Sequence, residues 1–202
     1  QNLVMSYLCG GRFMELKTVQ INDELDIPRP CIFVPHVGYN VEWSQELRVH
    51  ESAFEYAKGW MLIHYLTSEH GPRLWDAANV MFDTSLGYDL SGMRSDKVSG
   101  FLQQMRQSSA LIAALRDQLP SSLSKWADVE VPTEISNSVT LSTFHGCPAS
   151  EIEAIATQCI DWGVNTVVKL NPTLLGYDRC RAIMDSMGYR HIRLDRNAFE
   201  KD

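Results

Sequence analysis

The chain has 202 residues, 45% of them hydrophobic and 21% charged, with a formal net charge of -7 at pH 7. That length buries one sizeable core, so a single domain over residues 1–202 is the expectation, and the acidic balance argues against a nucleic-acid footprint. No apolar run reaches the roughly 20 residues that cross a bilayer as a helix, and five scattered cysteines form neither a disulfide framework nor a C-x-x-C metal site, which suits a reducing cytoplasm.

Leu3, Val4, Tyr7 and Leu8 fall on one face of a short helix that Gly10-Gly11 ends. Because the chain enters this pattern directly at Gln1-Asn2, the sequence reads as a piece cut from something longer. Phe13 to Val19 (FMELKTV) is strand-like and carries Lys17 toward its end. An ammonium in a largely apolar strand either pairs with a carboxylate such as Glu15 or points into a site. From Asn22 to Ser44 the composition turns to proline, glycine and polar residues, and Pro28, Pro30 and Pro35 exclude a helix there. In this long excursion Asn40 is the ligand candidate, because its amide both donates and accepts hydrogen bonds. Glu51 to Ser68 is a strong helix in which His64 reads as a packed or surface residue. Ala77 to Leu86 is the next strand, ending in Thr84-Ser85. Lys97–Gln107 and Leu111–Trp126 are helical segments broken at Pro120, and Asp128 to Glu134 is a linker.

The stretch from Ser136 to Tyr177 organises the rest. Val139 to Ser142 suits a buried strand, which His145-Gly146-Cys147-Pro148 breaks. Ile152, Ile155, Ala156, Cys159 and Ile160 recur at helical spacing until Gly163, and Thr166 to Leu170 is a second apolar strand. Two strands joined by such a helix are parallel neighbours with a right-handed crossover. Ser142, Thr143, His145, Cys147, Lys169 and Asn171 all fall at strand C-terminal ends, the edge where parallel sheets bind ligands. A helix over Tyr177–Met187, capped by Gly188, and a short strand over His191–Leu194 close the pattern. The whole is α/β: a parallel sheet with alternating helices, roughly half of a TIM (β/α)8 barrel. Neither common nucleotide-binding glycine fingerprint is present. A hydrolase using Cys147 with His145 lacks a residue to orient the histidine.

The blocks GGRFMELKTVQ, GYNVEWS, SLGYDLSG, VTLSTFHGCP and VVKLNPTLLGY resemble, in the same order, those of the family named putative selenate reductases, large iron–sulfur and flavin oxidoreductases. Their N-terminal part is similar to the FMN-binding barrel of dihydroorotate and dihydropyrimidine dehydrogenases. The resemblance implies barrel strands two to five, with hydride transfer through FMN. It implies Lys17 and Lys169 as flavin-contacting lysines, with Ser85 and Ser142 beside them, and Asn40 and Asn171 on a small planar or oxyanion substrate. Cys147 or His145 is the implied acid–base residue, because LSTFHGCP is two residues longer than the dehydrogenase N-L-S-C-P; no metal site is implied in this chain. Iron–sulfur clusters and FAD or NAD(P) belong to other domains of the parent, which with partner redox subunits would supply what a half-barrel lacks. Without them the isolated chain is expected to be inactive, to hold FMN weakly or not at all, and to pair as a homodimer through open edges or an apolar inner face. A non-catalytic α/β binding or scaffold domain on the same fold is the alternative.

Overall fold

Apolar residues at alternate positions need a strand with one covered face, and four such segments pair here. The computed structural model describes residues 1–17, 32–33, 40–41, 48–71, 79–87, 89–142 and 148–200. Its strands are β1 (Phe13–Lys17), β2 (Ile32–Phe33), β3 (Asn40–Val41), β4 (Met81–Leu86), β5 (Ser138–Ser142) and β6 (Asn165–Lys169). β1, β4, β5 and β6 form one parallel sheet in that order, as expected from the alternating pattern. β2 and β3 make a separate antiparallel pair. The helices are α1 (Asn2–Leu8), α2 (Val49–His70), α3 (Leu90–Met93), α4 (Asp96–Arg106), α5 (Ser109–Arg116), α6 (Ala149–Asp161) and α7 (Tyr177–Ser186). Among the described residues no helix is long and apolar enough to cross a membrane.

The helix boundaries follow local chemistry. Ser95 accepts the Val98 N–H at 3.3 Å and starts α4, with Asp96 in its first turn and Arg106 in its last, both favourable to the helix dipole. α6 begins after Pro148 and ends at Gly163, whose φ of +69° suits a residue without Cβ.

The core lies between the sheet and these helices. Met14 and Leu16, Phe82 and Leu86, and Val139 and Leu141 are all buried on the covered side. Trp60 of α2 joins the layers: its ring meets Phe82 edge-on at 5.0 Å, and its Nε1 donates to the Pro132 carbonyl at 2.9 Å. That ties α2, β4 and the segment leading into β5 together. α1 is clamped on the outside of α2. Tyr7 is fully buried, and because the Thr67 hydroxyl donates to Ile63 O, Tyr7 donates to Thr67 at 2.8 Å. A Cβ on Gly59 would sit 3.0 Å from Leu3 Cδ1, so this contact needs the bare backbone.

Two readings of the sequence are corrected. The segment Leu111–Trp126 is not one helix: α5 ends at Arg116, and a 3-10 turn over Ser121–Trp126 follows Pro120. His191–Leu194 is not a strand. The Arg181 guanidinium takes the carbonyls of Tyr189 at 3.0 Å and Ile192 at 2.5 Å, so these groups are met locally and not by a strand ladder.

His64 is half-buried in α2, with its ring edge-on to Trp60 at 4.6 Å and its Nε2 buried without a hydrogen-bond partner. Burial lowers its pKa. The unfolded chain therefore takes up this proton first, and the group's contribution to stability falls as pH drops below the ordinary histidine value of about 6.5 toward the lower folded value. In His64→Leu the decline in denaturant midpoint between about pH 7 and about pH 5 should be shallower than in wild type. Parallel curves would show that His64 does not titrate in that window.

Candidate functional site

The pleat assigns the side chains of the sheet to two faces. Phe13, Glu15 and Lys17 alternate with the buried Met14 and Leu16, so they stand on the face away from the helices. The register carries that face across the sheet: Glu15 is paired with Asp83, Lys17 with Ser85, Ser85 with Thr140, and Ser142 with Lys169. The face is predominantly polar. It carries Glu15, Lys17, Asp83, Ser85, Ser138, Thr140, Ser142 and Lys169, with Phe13, Met81 and Val167 as its large apolar members. The expected apolar inner face is therefore corrected: the apolar face is the one under the helices.

Lys17, Ser85, Ser142 and Lys169 thus share one face at the C-terminal ends of their strands. The end of β1 is held by the Tyr56 hydroxyl of α2, which donates to the Lys17 carbonyl. A carboxylate connects the group. Glu15 Oε1 lies 3.3 Å from Lys169 Nζ, and the Ser85 hydroxyl donates to the same carboxylate. The Ser85 hydrogen bond is the largest cause holding the Glu15 pKa below its ordinary value; the charges of Lys169 and Lys17 act the same way against the cost of burial. Lys17 was expected either to pair with this carboxylate or to point into a site. The Glu15 hydrogen bonds instead go to β4 and β6, and Lys17 acts on it through its charge.

The Glu15–Lys169 contact has a geometric consequence. Glu15 and Lys169 lie three strands apart, with Lys169 four residues further along than the position in line with Glu15. On a flat sheet their backbones would be about 19 Å apart, further than extended glutamate and lysine side chains reach. The sheet is therefore coiled with this face concave, as in a segment of a barrel wall.

The other sequence candidates are placed as follows. Asn171 Oδ1 accepts the Thr173 N–H at 3.5 Å and caps the 3-10 turn Pro172–Leu175 directly after β6. Asn40 is the first residue of β3, opposite Phe33. His145 and Cys147 lie outside the described residues, between Ser142 of β5 and Pro148 before α6. Among the described residues no three metal-ligating side chains come together. Cys159 is buried, with its thiol pushed up to about 11 by desolvation, and is inert at neutral pH.

Two polar residues of this face carry more than the sequence reading gave them. Glu15 was read only as a bland partner for Lys17. Asp83 was not singled out: it is 1% exposed, its Oδ1 accepts from Ser138 Oγ at 2.6 Å, and its Oδ2 is buried with no hydrogen-bond partner. The available signal was the alternation itself, since the two-residue period puts Glu15 with Lys17 and Asp83 with Ser85.

A family model described as "Oxidoreductase YgfK, N-terminal TIM-barrel domain" matches residues 1–202. The protein named "Putative oxidoreductase YgfK" in Escherichia coli (strain K12) is 39% identical over 222 residues, which cover the whole of this chain. The protein of the same name in Escherichia coli O157:H7 matches equally. The chain spans 21% of the length of these relatives. No solved structure matches. The chain belongs to the oxidoreductase YgfK N-terminal TIM-barrel family.

A buried carboxylate oxygen without a donor destabilises the fold. Asp83→Asn keeps an acceptor for Ser138 and removes the charge, so it should raise the melting temperature by roughly 2–4 °C, about 1 kcal/mol in a domain of this size. A lower melting temperature would show that Oδ2 is met by a donor in solution.

Proposed function

We propose, from membership of that family, that the chain is one domain forming part of an FMN-type barrel in a larger oxidoreductase. We read its concave face as the flavin and substrate side. The observation that carries the reading is the convergence of Lys17, Ser85, Ser142 and Lys169 at one strand-end edge.

The donor set suits the pyrimidine end of a flavin, where the reduced ring is anionic at N1 and C2=O. When bound, FMN supplies a two-electron hydride carrier. The chain's own residues then do the following. The Lys169 and Lys17 ammoniums face the developing negative charge from β6 and β1 and stabilise it where water is excluded. Ser85 and Ser142 present hydroxyls at the same edge. Asn40 and Asn171 orient a small planar or oxyanion substrate, selenate being the class named by the resemblance. Cys147 or His145 moves the proton that accompanies the hydride; a thiol near 8.5 needs a neighbouring cation to serve at neutral pH.

The same reading assigns the partners. β1 and β6 each have one neighbour in the described sheet. Exposed apolar residues gather beside β6, at Val167, Leu170, Leu174 and Leu175 and at Ile183 and Met187 of α7. We assign that side to the remainder of a parent chain as long as the relatives, in preference to the second copy considered from sequence. Iron–sulfur clusters and FAD or NAD(P) belong to its other domains or to redox partners. The oxidised or reduced state of the thiols is expected to follow a reducing cytoplasm.

Lys169 is exposed and contributes little packing. In the intact protein, Lys169→Ala should slow flavin reduction by on the order of 10²-fold, the cost of losing one preorganised charge-stabilising group. Its melting temperature should change little. Unchanged reduction kinetics in a folded variant would contradict the role.

A further inference from the structure

Glu15 is placed unlike a residue that serves the fold. Its side chain is 41% exposed and that of Lys169 is 56% exposed. Their separation of 3.3 Å is longer than the roughly 2.7–2.9 Å of a strong charge-assisted bond. An exposed pair of this kind adds little to stability. Yet the one carboxylate holds two side chains of the proposed ligand edge, Lys169 of β6 and Ser85 of β4, and feels the charge of Lys17 on its own strand. An anion approaching the two lysines must take the Lys169 ammonium from a carboxylate already bound to it.

We infer that Glu15 is a positioning residue whose carboxylate holds Lys169 over the concave face and competes, as an internal counter-ion, with anionic ligands for that ammonium. The inference takes the identity of the anion from the flavin reading, but the competition applies to any anion at this edge. With the carboxylate in place the two lysines present one uncompensated positive charge; with a neutral residue there they present two. The carboxylate therefore lowers anion affinity and restricts the edge to ligands whose other contacts outweigh its loss. A residue serving only to order Lys169 would have the opposite effect, since its removal would weaken binding.

The test uses the intact protein, its Glu15→Gln, Glu15→Asp and Lys169→Gln variants, and two probes, inorganic sulfate and FMN, titrated at low and high salt. Sulfate should bind Glu15→Gln about tenfold more tightly than wild type, as expected for removing one nearby negative charge, and the gain should shrink as salt rises. Glu15→Asp keeps the charge and should stay near wild type, and Lys169→Gln should bind more weakly than either. Equal or weaker sulfate binding by a folded Glu15→Gln overturns the inference. So does a Glu15→Asp variant that binds as tightly as Glu15→Gln, because the effect would then belong to side-chain length and not to charge. Tighter sulfate binding by Glu15→Gln with no Lys169-dependent FMN binding in any form would uphold the counter-ion role and remove the flavin reading.

Discussion

The ion pair between Glu15 and Lys169 is the contact on which the reading of the site depends, because it joins the first and last strands of the parallel sheet. It does not create the curvature. An exposed pair is worth about 0–1 kcal/mol, far less than the helix layer that shapes the sheet from behind. There Trp60 packs edge-on against Phe82 and hydrogen-bonds Pro132, while Met14, Leu16, Val139 and Leu141 bury the covered face. The pair instead reports the outcome: a sheet coiled enough for side chains three strands apart to meet. Without that coiling, Lys17 and Lys169 would stand on the same face but too far apart to act on one small ligand.

The polar character of the concave face follows from the same two-layer arrangement. Each strand gives its apolar positions to the helices and its alternate positions to the inner side, where Glu15, Lys17, Asp83, Ser85, Ser138, Thr140, Ser142 and Lys169 stand. Such a surface is not stabilised by burial, so its side chains must satisfy one another or a ligand. Most of the printed contacts here do the former: Ser138 with Asp83, and Ser85 and Lys169 with Glu15. The Asp83 Oδ2 atom is the exception, buried without a donor. A face in which paired charges coexist with one unmet acceptor is poorly explained as packing and well explained as part of a binding surface.

Much of this was legible in the sequence, for specific reasons. The four strands, their parallel order and the crossover helix α6 follow from periodicity and from Pro148 and Gly163 as boundaries. The shared edge of Lys17, Ser85, Ser142 and Lys169 follows from their position at strand ends. Three things were not legible. The role of Glu15 depends on sheet curvature, which local pattern does not encode, so its nearest lysine in sequence stood in for the one across the sheet. Asp83 sits in a strand that reads as apolar, and its burial depends on neighbours from other strands. His191–Leu194 alternates as a strand does, but Arg181 supplies the hydrogen bonds that a neighbouring strand would otherwise provide.

Zero-length carbodiimide coupling of the protein, followed by peptide mapping, tests the convergence of β1 and β6 most directly. The account predicts an isopeptide bond between Glu15 and Lys169, residues far apart in sequence that meet only if the sheet is coiled with this face concave. A map in which Glu15 couples to Lys17 alone, with no Glu15–Lys169 product, would contradict it.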